Sequence, residues 1–252
     1  MRIALLINRD FPSFWTVRQL LRSLPEFTWS IFMTPQVGKA QSSVPEILSA
    51  LKAYELNCLS RELGRQLEWG EVHQAMAEAL GVRVNPVLNV NRGRGLEQYR
   101  SFRPDVALSI RFGSILQSEA IAVPRLGVIN LHSGLLPEFR GIMATFWSML
   151  RARAVYGYTI HSITDAGIDT GNIICRVVLP LESRADYFTK TLELYRSAVP
   201  ELAAQLKILN TAGQLKTGAQ QGLPQYFGLP EAADLQRFHE LGCTLFDEGQ
   251  PI

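Results

Sequence analysis

The apolar run Ile3-Ala4-Leu5-Leu6-Ile7, halted by Asn8-Arg9-Asp10-Phe11-Pro12, narrows the fold more than any other feature. A run this short and uninterrupted reads as a strand buried on both faces, over residues 2–8. The period then changes. Phe14, Val17, Leu20, Leu21 and Leu24 fall at helical spacing behind Ser13, which reads as the cap. Thr28 to Met33 returns to strand character. A strand-helix-strand opening points to a parallel, doubly wound sheet, a Rossmann-like α/β fold.

The rest of the chain continues that pattern. Residues 43–81 read as mainly helical, with Gly64 and Gly70 as weak breaks. Residues 82–90 are β-rich but hold Pro86, which suits an edge strand or an extended loop. Val106 to Ile110 is a strand, and a short helix follows at Ser118–Ala122. Gly127 to His132 is the next strand; a loop with Pro137 and Gly141 leads to a helix at about 143–152. Tyr156–Ile163 and Ile173–Leu179 are strands. Residues 185–210 are helical, with Leu192, Tyr195, Val199, Leu202, Leu206 and Leu209 in one apolar stripe and Pro200 expected to kink or split it. The organisation expected is a body over 1–210 and a short C-terminal extension over 211–252, with one further helix near 230–241.

Bulk properties exclude several function classes. A net charge of +2 gives no field that would attract nucleic acid or an anionic membrane. No segment approaches the length of a membrane span, and the first apolar run is too short for a signal peptide. Cys58, Cys175 and Cys243 are far apart and odd in number, so they form neither a disulfide framework nor a zinc-ligand pair. A cytoplasmic location is expected. Arg92, Arg94, Arg100 and Arg103, around Gly93 and Gly95, read as a solvated loop. Phe14, Trp15, Phe139, Phe146 and Trp147 read as core.

Ligands of open α/β sheets bind beyond the carboxyl ends of the strands, and two strand ends here carry polar clusters. The first is Asn130-Leu131-His132-Ser133-Gly134-Leu135-Leu136-Pro137, followed by Arg140-Gly141. Asn130 and His132 lie two apart on a strand and so share a face. The second runs from His161 to Gly171 and ends in Gly167-Ile168-Asp169-Thr170-Gly171. A carboxamide, an imidazole and a carboxylate at one edge suit acyl-type transfer. Asn130 and a protonated His132 would stabilise the oxyanion of an attacked carbonyl, each donor worth roughly 3–4 kcal/mol. Asp169 would raise the pKa of His132 and could pass a proton outward.

These two motifs resemble the signatures of the folate-dependent formyltransferases. Asn130 to Pro137 matches Asn-x-His-x-x-Leu-Leu-Pro, and Gly167 to Gly171 matches the loop that holds the family's aspartate, 39 residues beyond Asn130. The resemblance covers roughly residues 1–210 and is strongest over 104–180. It implies a formyltransferase fold, 10-formyltetrahydrofolate as donor, no metal, and Asn130, His132 and Asp169 as the catalytic set. It also implies that Ser114, Ile115 and Leu116, with Gln117, contact the pterin by their backbone. Asp165, Ala166, Gly167 and Ile168 would close over that ring. His161 and Arg111 fall on the acceptor side.

The departures from the family are also informative. Asn8 to Pro12 stands where the glycinamide-ribonucleotide branch has a Gly/Ser-rich phosphate loop. The initiator-tRNA branch carries a C-terminal barrel of about a hundred residues and a proline soon after its Arg-Gly pair; here about 40 residues follow the long helix, and Ile142-Met143-Ala144-Thr145 follows Arg140-Gly141. The deformylase branch has an extra N-terminal domain, and this chain begins directly with the first strand. The expected acceptor is therefore a small-molecule amine or hydroxylamine, such as a sugar amine or an N5-hydroxyornithine-like group. A hydrolase of the same donor and a non-catalytic folate-binding protein are the alternatives. The stripe of the long helix would permit a homodimer, and the helical stretch 43–81 could serve acceptor specificity.

Overall fold

The structure is a computed structural model and describes residues 1–34, 45–151, 154–181 and 186–249. The start of the helical stretch expected at 43–81, the last residue of the helix expected at 143–152 and the first of that expected at 185–210 lie outside the described residues. The strands are β1 (Arg2–Asn8), β2 (Thr28–Thr34), β3 (Val84–Pro86), β4 (Val106–Ile110), β5 (Val128–His132), β6 (Arg140–Gly141), β7 (Val155–Ile163), β8 (Ile173–Pro180) and β9 (Tyr226–Phe227). The helices are α1 (Phe11–Ser23), α2 (Glu46–Glu62), α3 (Val72–Leu80), α4 (Gly93–Phe102), α5 (Ser118–Ile121), α6 (Ala144–Arg151), α7 (Tyr187–Ala212) and α8 (Ala232–Glu240). Among the described residues, seven strands form one sheet in the order β3-β2-β1-β4-β5-β7-β8, and β6 and β9 form a small second sheet.

Strands β3 to β5 in that row are parallel, and β7 and β8 join antiparallel. The burial strings follow from this. β1 and β4 are covered on both faces and buried almost throughout, whereas β8 alternates between covered and open positions as an antiparallel edge strand does. Along β1, Ile3, Leu5 and Ile7 enter the larger core with α1, α2, α6 and α7, while Ala4 and Leu6 face a smaller core with α4 and α5. The order reverses at β1 and β4, so the crevice of a doubly wound sheet opens at Asn8 and Ile110.

Three local readings are corrected. Asp10, not Ser13, caps α1: its Oδ1 accepts the Ser13 backbone N–H at 2.8 Å, and Pro12 occupies the first turn, where no N–H is needed. The Arg92–Arg103 cluster is not a loop. Residues 93–102 form α4, with Leu96 and Tyr99 buried against Phe32 and the arginines on the outer face. Gly95 is required there, since a Cβ would lie 2.1 Å from the Asn89 carbonyl oxygen. Finally, α7 is one continuous helix through Pro200, so the proline does not split it. Pro200 gives no N–H to the preceding turn, but the burial of the whole stripe from Leu192 to Leu209 outweighs one lost hydrogen bond.

That burial has a second consequence. The α7 stripe is spent on the chain's own core and presents no face to a second copy. The C-terminal extension is likewise integral, because Phe238, Cys243 and Leu245 are buried in the larger core. Among the described residues no helix is long and apolar enough to cross a membrane.

Candidate active site

The antiparallel pairing of β5 with β7 sets Asn130 opposite His161 and His132 opposite Thr159. Cross-strand partners point to the same face, so both imidazoles and the carboxamide gather on one side of the sheet. Asp169 comes back over them on the loop after β7. It sits in the left-handed region, at φ 53°. Two glycines let the loop turn so tightly: a Cβ on Gly171 would lie 1.7 Å from the Ser162 carbonyl oxygen, and one on Gly167 would meet Thr170 Oγ1 at 2.4 Å. Asp165 helps by accepting the Gly167 N–H at 2.7 Å.

The cluster is internally hydrogen-bonded. Asn130 Nδ2 lies 3.0 Å from His161 Nε2 and donates to Asp169 Oδ1 at 3.3 Å. The opposite nitrogen of His161 donates to the Ser162 carbonyl at 2.9 Å, which leaves Nε2 as the acceptor for Asn130. His132 Nε2 donates to the Phe139 carbonyl at 2.6 Å, and its Nδ1 faces Asp169 Oδ2 at 3.5 Å. Gly134 makes the Phe139 contact possible, because a Cβ there would lie 2.8 Å from both His132 Nε2 and the Phe139 oxygen. Asp169 Oδ2 also accepts the Gly141 N–H at 2.8 Å.

Charge follows from these surroundings. Burial pushes the Asp169 carboxyl up, but His132, His161 and the Gly141 N–H together bring it down to about 2. It is a fixed anion at neutral pH. Burial lowers the pKa of His132, and Asp169 opposes that without overcoming it. The sequence reading had the direction of the Asp169 effect right, but the expected protonated imidazole is corrected: burial decides, and His132 is neutral at neutral pH. Its Nδ1 lone pair then points toward the carboxylate, in position to take a proton.

The structure brings Asn130, His132 and Asp169 together and adds His161, which is buried behind Asn130 rather than open to an acceptor. Arg111 is not in this group. It follows β4 with φ 55°, and its guanidinium contacts Asp10 at 2.9 Å and Glu55 of α2 at 3.6 Å. Leu116 lies in the smaller core beside Val128, with Ile163 at its margin, so the segment 114–116 and the root of the 164–169 loop border one apolar cluster. Ile115 is half exposed. Asn91 pins this segment, donating to the Ile115 carbonyl at 2.9 Å and accepting the Gln117 N–H at 2.7 Å. Ala166 is exposed, and Ser114 and Ile168 are half-buried. Asn91, Gly134 and Gln220, which donates to the Asp169 carbonyl at 2.8 Å, escaped the sequence reading. Only Gly134, inside the first motif, carried a usable signal.

A family model described as formyl transferase matches residues 88–202. A methionyl-tRNA formyltransferase of Clostridium perfringens (strain SM101 / Type A) is 27% identical over 146 residues, covering 56% of this chain and 47% of that protein. The chain thus spans about half the length of the curated relatives it matches. Among solved structures, a sugar N-formyltransferase from a Shewanella species has a TM-score of 0.60 at 16% identity, over 94% of this chain and 78% of that one. An N-formyltransferase from Helicobacter canadensis, in complex with folinic acid and dTDP-3-aminofucose, has a TM-score of 0.57 at 14% identity, over 90% and 70% of the two chains. Likeness at this identity speaks for the shared mostly parallel α/β fold.

Proposed function

We propose that this chain is a folate-dependent formyltransferase that moves a formyl group from 10-formyltetrahydrofolate to the amine or hydroxylamine of a small molecule, a sugar amine or an N5-hydroxyornithine-like group; the match of residues 88–202 to the formyl transferase family model supports that reading. The observation that carries this is the convergence of Asn130, His132 and Asp169, with His132 Nδ1 and Asp169 Oδ2 3.5 Å apart. The donor supplies an activated formyl carbon. Leu116 and Ile163, at the roots of the 114–116 segment and of the loop that carries Asp165, Ala166, Gly167 and Ile168, share one apolar cluster, which suits the binding of a flat heterocycle by these two segments. Folinic acid in the Helicobacter canadensis relative is consistent with that fit.

Each residue then has a task. Asn130 offers an N–H to the developing oxyanion, giving up the longer of its two bonds, the one to Asp169. His132 Nδ1 accepts the proton lost by the attacking amine, and Asp169 stabilises the imidazolium that results; as the tetrahedral intermediate collapses, the bond from the formyl carbon to the folate N10 breaks and the imidazolium returns that proton to N10, so tetrahydrofolate leaves neutral. A carboxylate held near 2 is too weak a base for that step itself. His161 keeps the Asn130 amide oriented. Arg111 lies at the crevice end of β4, where an acceptor would enter, and acts through Asp10 and Glu55.

The small acceptor is favoured by the solved sugar N-formyltransferases that share the fold, and by a C-terminal segment that pairs with β6 and bonds Asp169 through Gln220. The test is tetrahydrofolate release from 10-formyltetrahydrofolate with one acceptor at a time. Turnover with an aminosugar nucleotide or a hydroxylamine supports the proposal. Turnover with methionyl-tRNA alone would move the acceptor to the class acted on by the curated relatives, formate release without acceptor would make the protein a hydrolase, and folate binding without turnover would make it a binding protein.

A further inference from the structure

The segment after α7 crosses the site. Gly218 and Ile173 exchange both backbone hydrogen bonds at 2.8 Å, Gln225 accepts from Arg140 N at 2.9 Å, and Phe227 accepts from Ile142 N at 2.9 Å. Between these anchors lies Gln220. Its Nε2 donates to the carbonyls of Asp169 and Gly171, both at 2.8 Å, and its Oε1 accepts from Arg140 Nη2 at 2.7 Å. One carboxamide thereby joins the aspartate loop to the loop that carries Gly141. That loop in turn grips the carboxylate, since Gly141 N donates to Asp169 Oδ2. Asp169 is held at both ends by one strap: at its carbonyl by Gln220, and at its carboxylate by a β6 strand paired with β9.

We propose that Gln220 is a positioning residue for the formyl transfer, fixing the left-handed turn that aims Asp169 at His132. A residue with a Cβ adopts φ 53° at a cost, and two carbonyls converging on one donor are what hold it there. The strap lies outside the segment that matches the family model, which ends at residue 202. The positioning role rests on the function proposed above.

The test uses the full chain with Gln220→Ala, Gln220→Glu and the exposed neighbour Gln221→Ala. The glutamate keeps an acceptor for Arg140 and loses the donor pair. Both Gln220 variants are expected to lower kcat about 10- to 100-fold, the range for an active-site geometry loosened by an ångström or so, with KM for the donor within about two-fold. Gln221→Ala is expected to match the wild type. In parallel, the His132 imidazole is titrated by NMR without any substrate. With Asp169 released, its midpoint falls below that of the wild type. A wild-type kcat in Gln220→Glu, or an unmoved His132 midpoint in both Gln220 variants, overturns the proposal. The titration decides Gln220 even where no acceptor turns over, so the two proposals fail separately.

Discussion

Asn130 and His161 face each other across the β5–β7 pair with Nδ2 and Nε2 3.0 Å apart. That contact and the longer bond to Asp169 Oδ1 together set which way the carboxamide points. Turned over, Asn130 would present its oxygen to Asp169 and offer no N–H to a substrate oxygen. His161→Ala leaves the strand intact but removes the shorter of the two bonds that hold the amide. Steady-state kinetics should show kcat down about 10- to 100-fold, a smaller loss than for removal of His132. A wild-type kcat in this variant would show that Asn130 is oriented by other means.

His132→Ala and Asp169→Asn are expected to lower kcat/KM by about 10² to 10⁴ while circular dichroism stays native. They differ in pH behaviour. The base in this scheme is neutral His132, so the rate falls as pH drops through its pKa, which lies below 6.5. Asp169 is the group that raises that pKa. Its replacement by asparagine lets the pKa fall further, and the acid limb of the residual activity moves to lower pH. A limb that stays in place or moves upward would remove His132 from the role of base.

Gly134→Ala tests the ring's other anchor. The added Cβ would meet Ala144 Cβ at 2.5 Å and His132 Nε2 and the Phe139 oxygen at 2.8 Å. Two of these neighbours are a rigid backbone carbonyl and a buried methyl, so the imidazole must move. The expected outcome is a stability loss of about 1–3 kcal/mol by thermal unfolding, and a kcat loss of about tenfold or more. Full activity with full stability would mean that the Phe139 contact is dispensable.

What could be read from the chain alone follows the range of the interactions concerned. The strands of the large sheet and the meeting of Asn130, His132 and Asp169 were legible because each is written locally: Ile3 to Ile7 as an unbroken run, Asn130 and His132 two apart, Asp169 between two glycines; the two-residue strands β6 and β9 were not, being too short to carry a period. The cap of α1 was misplaced by three residues because Asp10 and Ser13 are both good caps, and only the geometry at Asp10 chooses between them. The α4 helix hid behind its arginines, since only Leu96 and Tyr99 are buried in it. Pro200 does not split α7 because its local penalty is small beside the burial of a 26-residue helix. The neutral state of His132 and the reach of Gln220 depend on enclosure and on contacts 51 residues apart, and neither leaves a periodic mark.

Glu55 offers a test of the crevice that is independent of catalysis. It is buried beside Asp10, and both acids share the single guanidinium of Arg111. Burial and the Asp10 charge raise the Glu55 carboxyl from 4.5 to about 8, against the pull of Arg111. The folded chain therefore holds a proton at neutral pH that the unfolded chain has released. Such a group contributes stability fully below pH 4.5 and loses it as pH rises through about 8. Glu55→Gln supplies the neutral shape permanently. Its stability gain over the wild type should be near zero at pH 4.5 and should grow to about 1–3 kcal/mol by pH 8, read from urea unfolding at each pH. A gain that is flat across this range, or a loss that deepens with pH, would mean that Glu55 is ionised in the folded protein and that Arg111 serves both acids as charges.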